Sequence, residues 1–238
     1  MAKQAVVLED ISKAFRIASK DLQVLSKLSF SVAESSFVSV IGRNGCGKTT
    51  LLKIIAGIEN QSSGNVRSPA NAAYLPQQDS LLPWLNVVDN LKLPAKINSR
   101  ARDISDQAIF RYLKQFKLQR FKNFYPAELS GGMRQKVSLL RAVIYQPDLI
   151  ILDEPFSALD SITRMEIQRW FADLIKSSKA TVICVTHDIG EAVFLSDEIV
   201  VLSDRPAVIL KTFRVKDFKN NQLSLEKKLQ KVLLSEKN

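Results

Sequence analysis

Residues 37–49 read Phe37-Val38-Ser39-Val40-Ile41-Gly42-Arg43-Asn44-Gly45-Cys46-Gly47-Lys48-Thr49. The first five are mostly apolar and β-branched, as in a strand covered on both faces, and the run breaks at Gly42. Residues 42–49 then fit G-x-x-x-x-G-K-[ST]. Glycines in such a loop let backbone N–H groups turn inward on a phosphate. A helix starting there adds the positive end of its dipole. Lys48 then reaches the β- and γ-phosphates, and the Thr49 hydroxyl faces Mg²⁺. A glycine-rich turn with a solvated lysine is the plainer reading. The strand before the loop and the helical pattern after it argue against that. The loop specifies a nucleotide phosphate, not a reaction.

Working outward, residues 49–58 carry Leu51, Leu52, Ile55 and Ile58 on one helical face, with Gly57 near the end. Gln61-Ser62-Ser63-Gly64 reads as a turn, and residues 5–10, 24–32 and 72–75 read as short strands. From Leu85 to Val143 the pattern is helical; Asp103 or Ser105 can cap a helix bearing Ile104, Ala108, Tyr112, Leu113 and Phe116. Leu149-Ile150-Ile151-Leu152 and Thr181-Val182-Ile183-Cys184-Val185 are apolar strands, and 198–202 is a third. Helices are expected over 162–175 and 191–195, and Leu225, Leu229, Val232 and Leu233 give the tail a helical stripe. Strands alternating with helices predict an α/β fold with a parallel sheet.

Of 238 residues, 46% are hydrophobic and 24% charged, proportions that support a buried core and exclude wholesale disorder. No apolar run approaches the roughly 18 residues of a bilayer span. The first residues are too short an apolar stretch for a signal peptide, so a cytosolic protein is expected. Cys46 and Cys184 are expected as reduced thiols, and His187, the one histidine, excludes a multi-histidine metal site. The net charge is +10, and residues 92–141 hold 12 basic against 3 acidic side chains. Such a segment serves nucleic acid, an anionic membrane surface, or simply a solvated helix face.

Two further features bear on chemistry. Asp153 and Glu154 end the strand 149–152, where a carboxylate of an open α/β sheet lies beside the phosphate loop. Asp153 can orient Mg²⁺ and Glu154 can accept a proton from attacking water. Leu129-Ser130-Gly131-Gly132-Met133-Arg134-Gln135 lies 18 residues before Asp153 and can open a helix with exposed N–H groups.

Over residues 5–210 this order of motifs resembles the ATP-binding subunits of ABC transporters. The elements are the phosphate loop, Gln77, the signature 129–135, Asp153-Glu154-Pro155, Ser157-Ala158-Leu159-Asp160 and Thr186-His187-Asp188. The resemblance implies a RecA-like P-loop core with a mostly parallel sheet, an antiparallel β edge and a helical subdomain inserted at about 85–143. It places the ATP-binding domain at 4–215 and a basic, helical tail at 216–238. It implies ATP and Mg²⁺ as cofactors, with nucleotide held by Gly42, Arg43, Asn44, Gly45, Cys46, Gly47, Lys48, Thr49 and Thr50. Across a homodimer, Ser130, Gly131, Gly132, Gln135 and Asp160 of the other copy complete each site. Phe15 resembles the aromatic that stacks on adenine, with Phe37 as its competitor. Glu154 resembles the catalytic base and His187 the switch histidine; Gln77 resembles the glutamine that senses Mg²⁺ and water, beside Thr49 and Asp153.

Gln77-Gln78-Asp79-Ser80-Leu81-Leu82-Pro83-Trp84 and Leu202-Ser203-Asp204-Arg205-Pro206 resemble the nitrate, sulfonate and taurine importer branch. That branch implies a membrane permease contacting Leu81, Leu82 and Trp84, a solute-binding protein acting indirectly, and a place on the cytoplasmic face of the membrane. The competing reading is a soluble ATPase of the same superfamily acting on nucleic acid or ribosomes. Repair members carry long heptad insertions and translation members usually two cassettes, and neither is seen here.

Overall fold

The computed structural model describes residues 3–17, 20–78, 80–97, 105–218 and 221–235. In chain order the elements are β1 (Gln4–Ile17), β2 (Lys20–Ala33), β3 (Phe37–Ile41), α1 (Lys48–Ile55), β4 (Ser63–Arg67), β5 (Ala72–Leu75), α2 (Val87–Ile97), α3 (Asp106–Gln115) and α4 (Gly131–Ile144). They continue with β6 (Leu149–Asp153), α5 (Ser161–Ser178), β7 (Thr181–Thr186), α6 (Ile189–Leu195), β8 (Glu198–Leu202), β9 (Ile209–Arg214) and α7 (Gln222–Leu234). The chain divides into two compact units, residues 1–70, 151–154 and 181–238, and residues 71–150 and 155–180.

In the first unit β3 runs parallel between β7 and β8, with Val40 opposite Val185 on one side and Val200 on the other. All of β3 and β7 is buried, which is why both read as unbroken apolar runs. β9 closes that edge antiparallel to β8. A second, antiparallel sheet has the order β2-β1-β4. The expected α/β architecture with an antiparallel edge is therefore borne out. Val6, Leu8 and Ile11 of β1 face inward with Val24, Leu25, Leu28 and Val32 of β2. Gly64 admits the close pass of β4: a Cβ there would lie 2.4 Å from the carbonyl oxygen of Glu9, and its φ is +90°.

Several boundaries differ from expectation. β1 and β2 span 14 residues each rather than the short runs predicted. Asp10 interrupts β1 at φ 50°, next to a register shift between Leu8 and Ile11, which breaks the alternation. The first helix ends at Ile55, not 58, because Gly57 takes φ +70° and terminates it. Ser63 and Gly64 belong to β4 rather than a turn. The tail helix α7 buries Leu225 and Leu229 completely in a cluster with Val193 of α6, Val201 and Phe213.

The second unit is built on α2, α3, α4 and α5. Leu81, Leu91, Ile109, Leu113, Val137 and Leu140 share one buried cluster. Ser105 caps α3 as expected, its side chain accepting from the N–H of Ala108; Asp103 and Ile104 lie outside the described residues. Asn90 is fully buried, and its side chain binds the backbone of Leu82, Leu85 and Asn86. This one side chain satisfies the turn that presents residues 82–85.

Candidate nucleotide site

The phosphate loop joins the buried end of β3 to the first turn of α1. Gly47 takes φ +124°, and a Cβ there would meet the side chains of Val24 and Leu25 at 2.8 Å, so only glycine fits. Gly47 gives α1 no side-chain cap. The first N–H groups of the helix are thus left for an anion. Lys48 is buried, and its Nζ donates to the carbonyls of Gly42 at 2.8 Å and Arg43 at 2.9 Å. These bonds hold the ammonium inside the curve of the loop. Cys46 is also buried, and burial pushes its thiol up from the ordinary range.

A brace that the motifs alone do not assign holds this loop from outside. Arg43 Nη1 pairs with Asp204 at 2.8 Å, and Arg205 donates to the Gly45 carbonyl from Nε at 3.1 Å and again from Nη2. The stretch 202–206 is legible as a motif, but its use is not.

The carboxylates come at the end of β6. Asp153 is 2% exposed. Burial raises its pKa, and the hydroxyl of Thr49, donating to the carboxylate, works in the opposite direction. Asp153 and Thr49 are thus already together. Glu154 turns out of the strand at φ 48°, its N–H bonded to the Val185 carbonyl of β7 at 2.9 Å. His187 comes directly after β7, and its Nδ1 lies 3.1 Å from Glu154 Oε2. Asp188 caps α6 by accepting from Glu191 N–H at 3.0 Å, which fixes the backbone just after the histidine. Lys48, Thr49, Asp153, Glu154 and His187 therefore stand in one unit, at the carboxyl ends of neighbouring strands.

The other candidates are placed differently. Phe15 sits on the β1–β2 pair opposite Leu22, half-buried, with the Lys13 ammonium 4.6 Å from its ring centre. Phe37 is 5% exposed at the start of β3, the end away from Gly42. Gln77, Ser130, Gly131, Gly132, Gln135 and Asp160 belong to the second unit. Ser130 caps α4, accepting from Met133 N–H at 3.3 Å, and Asp160 caps α5, accepting from Thr163 N–H at 3.0 Å. Gln135 donates to the Pro155 carbonyl. Gln77 is exposed just after β5. Leu81 is 7% exposed within the helical cluster, which removes it from the contact surface expected of it, while Trp84 is 67% exposed. Asp79 lies outside the described residues.

Residues 25–157 match the ABC transporter family. The chain belongs to it. The cassette is 35% identical over 208 residues to the formylaminopyrimidine import ATP-binding protein ThiZ of Halalkalibacterium halodurans, covering 87% of this chain and 82% of that one. It is 37% identical over 215 residues to the aliphatic sulfonates import ATP-binding protein SsuB of Bacillus subtilis, covering 87% and 83%. Among solved structures it resembles a dimeric ATP-binding cassette in a post-hydrolysis state with ADP and Pi. There the TM-score is 0.79 and the identity 28%, over 88% of this chain and 98% of that one. The cassette is thus the ATP-binding and ATP-hydrolysing subunit of a transporter. No helix among its described residues is long and apolar enough to cross a membrane.

Proposed function

We propose that the cassette powers import of a small solute of the nitrate, sulfonate or taurine class, as a homodimer on the cytoplasmic side of a membrane. The observation that carries the chemistry is the meeting of Glu154 with His187 beside the loop that encloses Lys48. Glu154 accepts the proton of a water directed at the γ-phosphate. His187 orients that carboxylate and meets the γ-phosphate through its other nitrogen. Lys48 exchanges loop carbonyls for phosphate oxygens when nucleotide enters.

The residues present fit Mg²⁺. The Thr49 hydroxyl and Asp153 carboxylate are hard oxygen donors already in contact, and no cluster of His, Cys, Asp or Glu suited to another metal occurs among the described residues. Thr49 and Asp153 would hold the ion, which would supply neutralisation of phosphate charge when bound.

Ser130 and the exposed N–H groups of Gly131 and Gly132 offer a second anion-binding helix start, which serves the nucleotide of the partner copy, with Gln135 and Asp160 supporting it. The stretch after Gln77 meets the permease through Leu82 and Trp84, and a solute-binding protein acts through that permease. Supporting this reading are the importer names carried by the relatives and the exposed indole of Trp84. The test is affinity purification of the intact chain from membranes. Recovery of a permease and a solute-binding protein supports the proposal; recovery of ribosomes or nucleic acid alone rejects it.

A further inference from the structure

We infer that the outer face of α3 and the turns after it dock on an anionic lipid bilayer, an inference that rests on the membrane-side reading above. On α3, Ile109 and Leu113 enter the core, while Phe110 is 50% exposed and Arg111 and Lys114 are exposed. Lys117 then takes φ 60°, and Leu118 N–H bonds back to the Leu113 carbonyl at 2.7 Å. The chain turns there, and Lys117, Arg120 and Lys122 that follow are exposed as well.

None of these five basic side chains has an ion pair among the described residues. Among the described residues of the neighbouring elements, three carboxylates already have other partners. Asp106 pairs with Lys92 at 2.5 Å, Asp89 with Lys96 at 3.9 Å, and Glu128 accepts from Tyr125 N–H at 2.7 Å. Among the described residues, the cations of this face are therefore left without a direct acidic partner.

Exposed rings flank the charges. Phe124 is 38% and Tyr125 47% exposed, at the far end of the run from Phe110. Phe110 and Lys122 both line one cavity of about 470 Å³ at the start of α2, together with Asp89 and Asp106. A headgroup layer suits that mixture: cations meet lipid phosphates and rings enter the interfacial zone. Single-stranded nucleic acid calls for rings spaced among the cations along a groove. Here the rings that lie among the cations in sequence, Tyr112, Phe116 and Phe121, pack against the helical cluster instead of lining a groove.

The experiment is co-sedimentation of the full chain with vesicles of phosphatidylcholine alone and of equal parts phosphatidylcholine and phosphatidylglycerol. Binding to the anionic vesicles is expected to be at least about tenfold tighter and to weaken with salt. The variant K114Q/K117Q/R120Q/K122Q should lose at least about tenfold in that affinity. A charge-matched control, K176Q/K216Q/K227Q/K231Q, should change it less than about twofold, because it removes the same charge from other elements and leaves α3 and its following turns intact. All eight side chains are exposed, so unchanged circular dichroism and melting separate loss of the surface from loss of the fold. Equal binding to both vesicles, or full binding by the first variant, overturns the inference. So does displacement by duplex DNA at lower phosphate concentration than lipid. Any of these results leaves permease co-purification, and with it the transport reading, standing.

Discussion

Glu154 Oε2 and His187 Nδ1 lie 3.1 Å apart, although 33 positions separate the two residues in the chain. The contact exists because β6 and β7 end side by side, tied by the bond from Glu154 N–H to Val185. Glu154→Gln keeps the shape and removes the basicity. ATP affinity should stay within about twofold while turnover falls at least about 100-fold, the scale of a lost general base. With ATP the variant should elute as a dimer in size exclusion. His187→Ala should lower turnover comparably; near-normal hydrolysis would return His187 to a surface role.

Lys48 is the buried cation of the loop, bonded to two of its carbonyls. Lys48→Ala removes both those bonds and the charge offered to phosphate. Nucleotide binding, read by fluorescence of a labelled ATP, should weaken at least about tenfold, and turnover should vanish.

Asp153 makes a prediction in pH. Burial raises its pKa, so the folded chain holds that proton at a pH where the unfolded chain has released it. The contribution to stability is present below the unfolded pKa and is lost as pH rises through the raised one. Asp153→Asn should therefore melt about 2–4 °C higher near neutral pH and lose this slope on the acid side. It should also bind Mg²⁺-nucleotide poorly. A variant melting lower than the parent would contradict the assignment of the shift to burial.

The brace on the phosphate loop separates affinity from chemistry. Arg205→Ala removes both bonds to the Gly45 carbonyl but touches neither Glu154 nor His187. The expected result is a KM for ATP raised about five- to tenfold with kcat little changed. A loss confined to kcat would mean that Arg205 acts in the chemical step.

Leu81 and Trp84, three positions apart, should behave in opposite ways. Leu81→Ala opens a hole in the helical cluster and should cost about 2–5 kcal/mol. Trp84→Ala removes an exposed ring and should leave melting and basal hydrolysis unchanged while weakening assembly with the permease, measured by co-purification.

Where one stretch of chain carries its own signal, sequence and structure agree closely. β5 spans Ala72–Leu75 as read, and Ser105 and Ser130 cap the helices they open. The phosphate loop is legible because glycine conformation and helix start are local properties. β9 is not, since only Phe213 of its six residues is buried and an edge strand leaves no apolar run. β4 buries none of its residues and escapes a sequence reading for the same reason. The Asn90 staple and the Arg205 brace depend on where distant backbone arrives, which composition does not encode. Leu81 defeats the expectation of a contact surface because a leucine in a loop looks alike whether it points to a partner or to the core.

The left-handed backbone at Glu154 has a consequence for anyone seeking a hardier version of this molecule. A residue with a Cβ at φ 48° carries a standing strain of about 1 kcal/mol or more that glycine would relieve. Directed selection for heat resistance alone should thus enrich glycine at position 154 early. With Glu154 as the base, those winners would be sturdy proteins that grip ATP and never let it go.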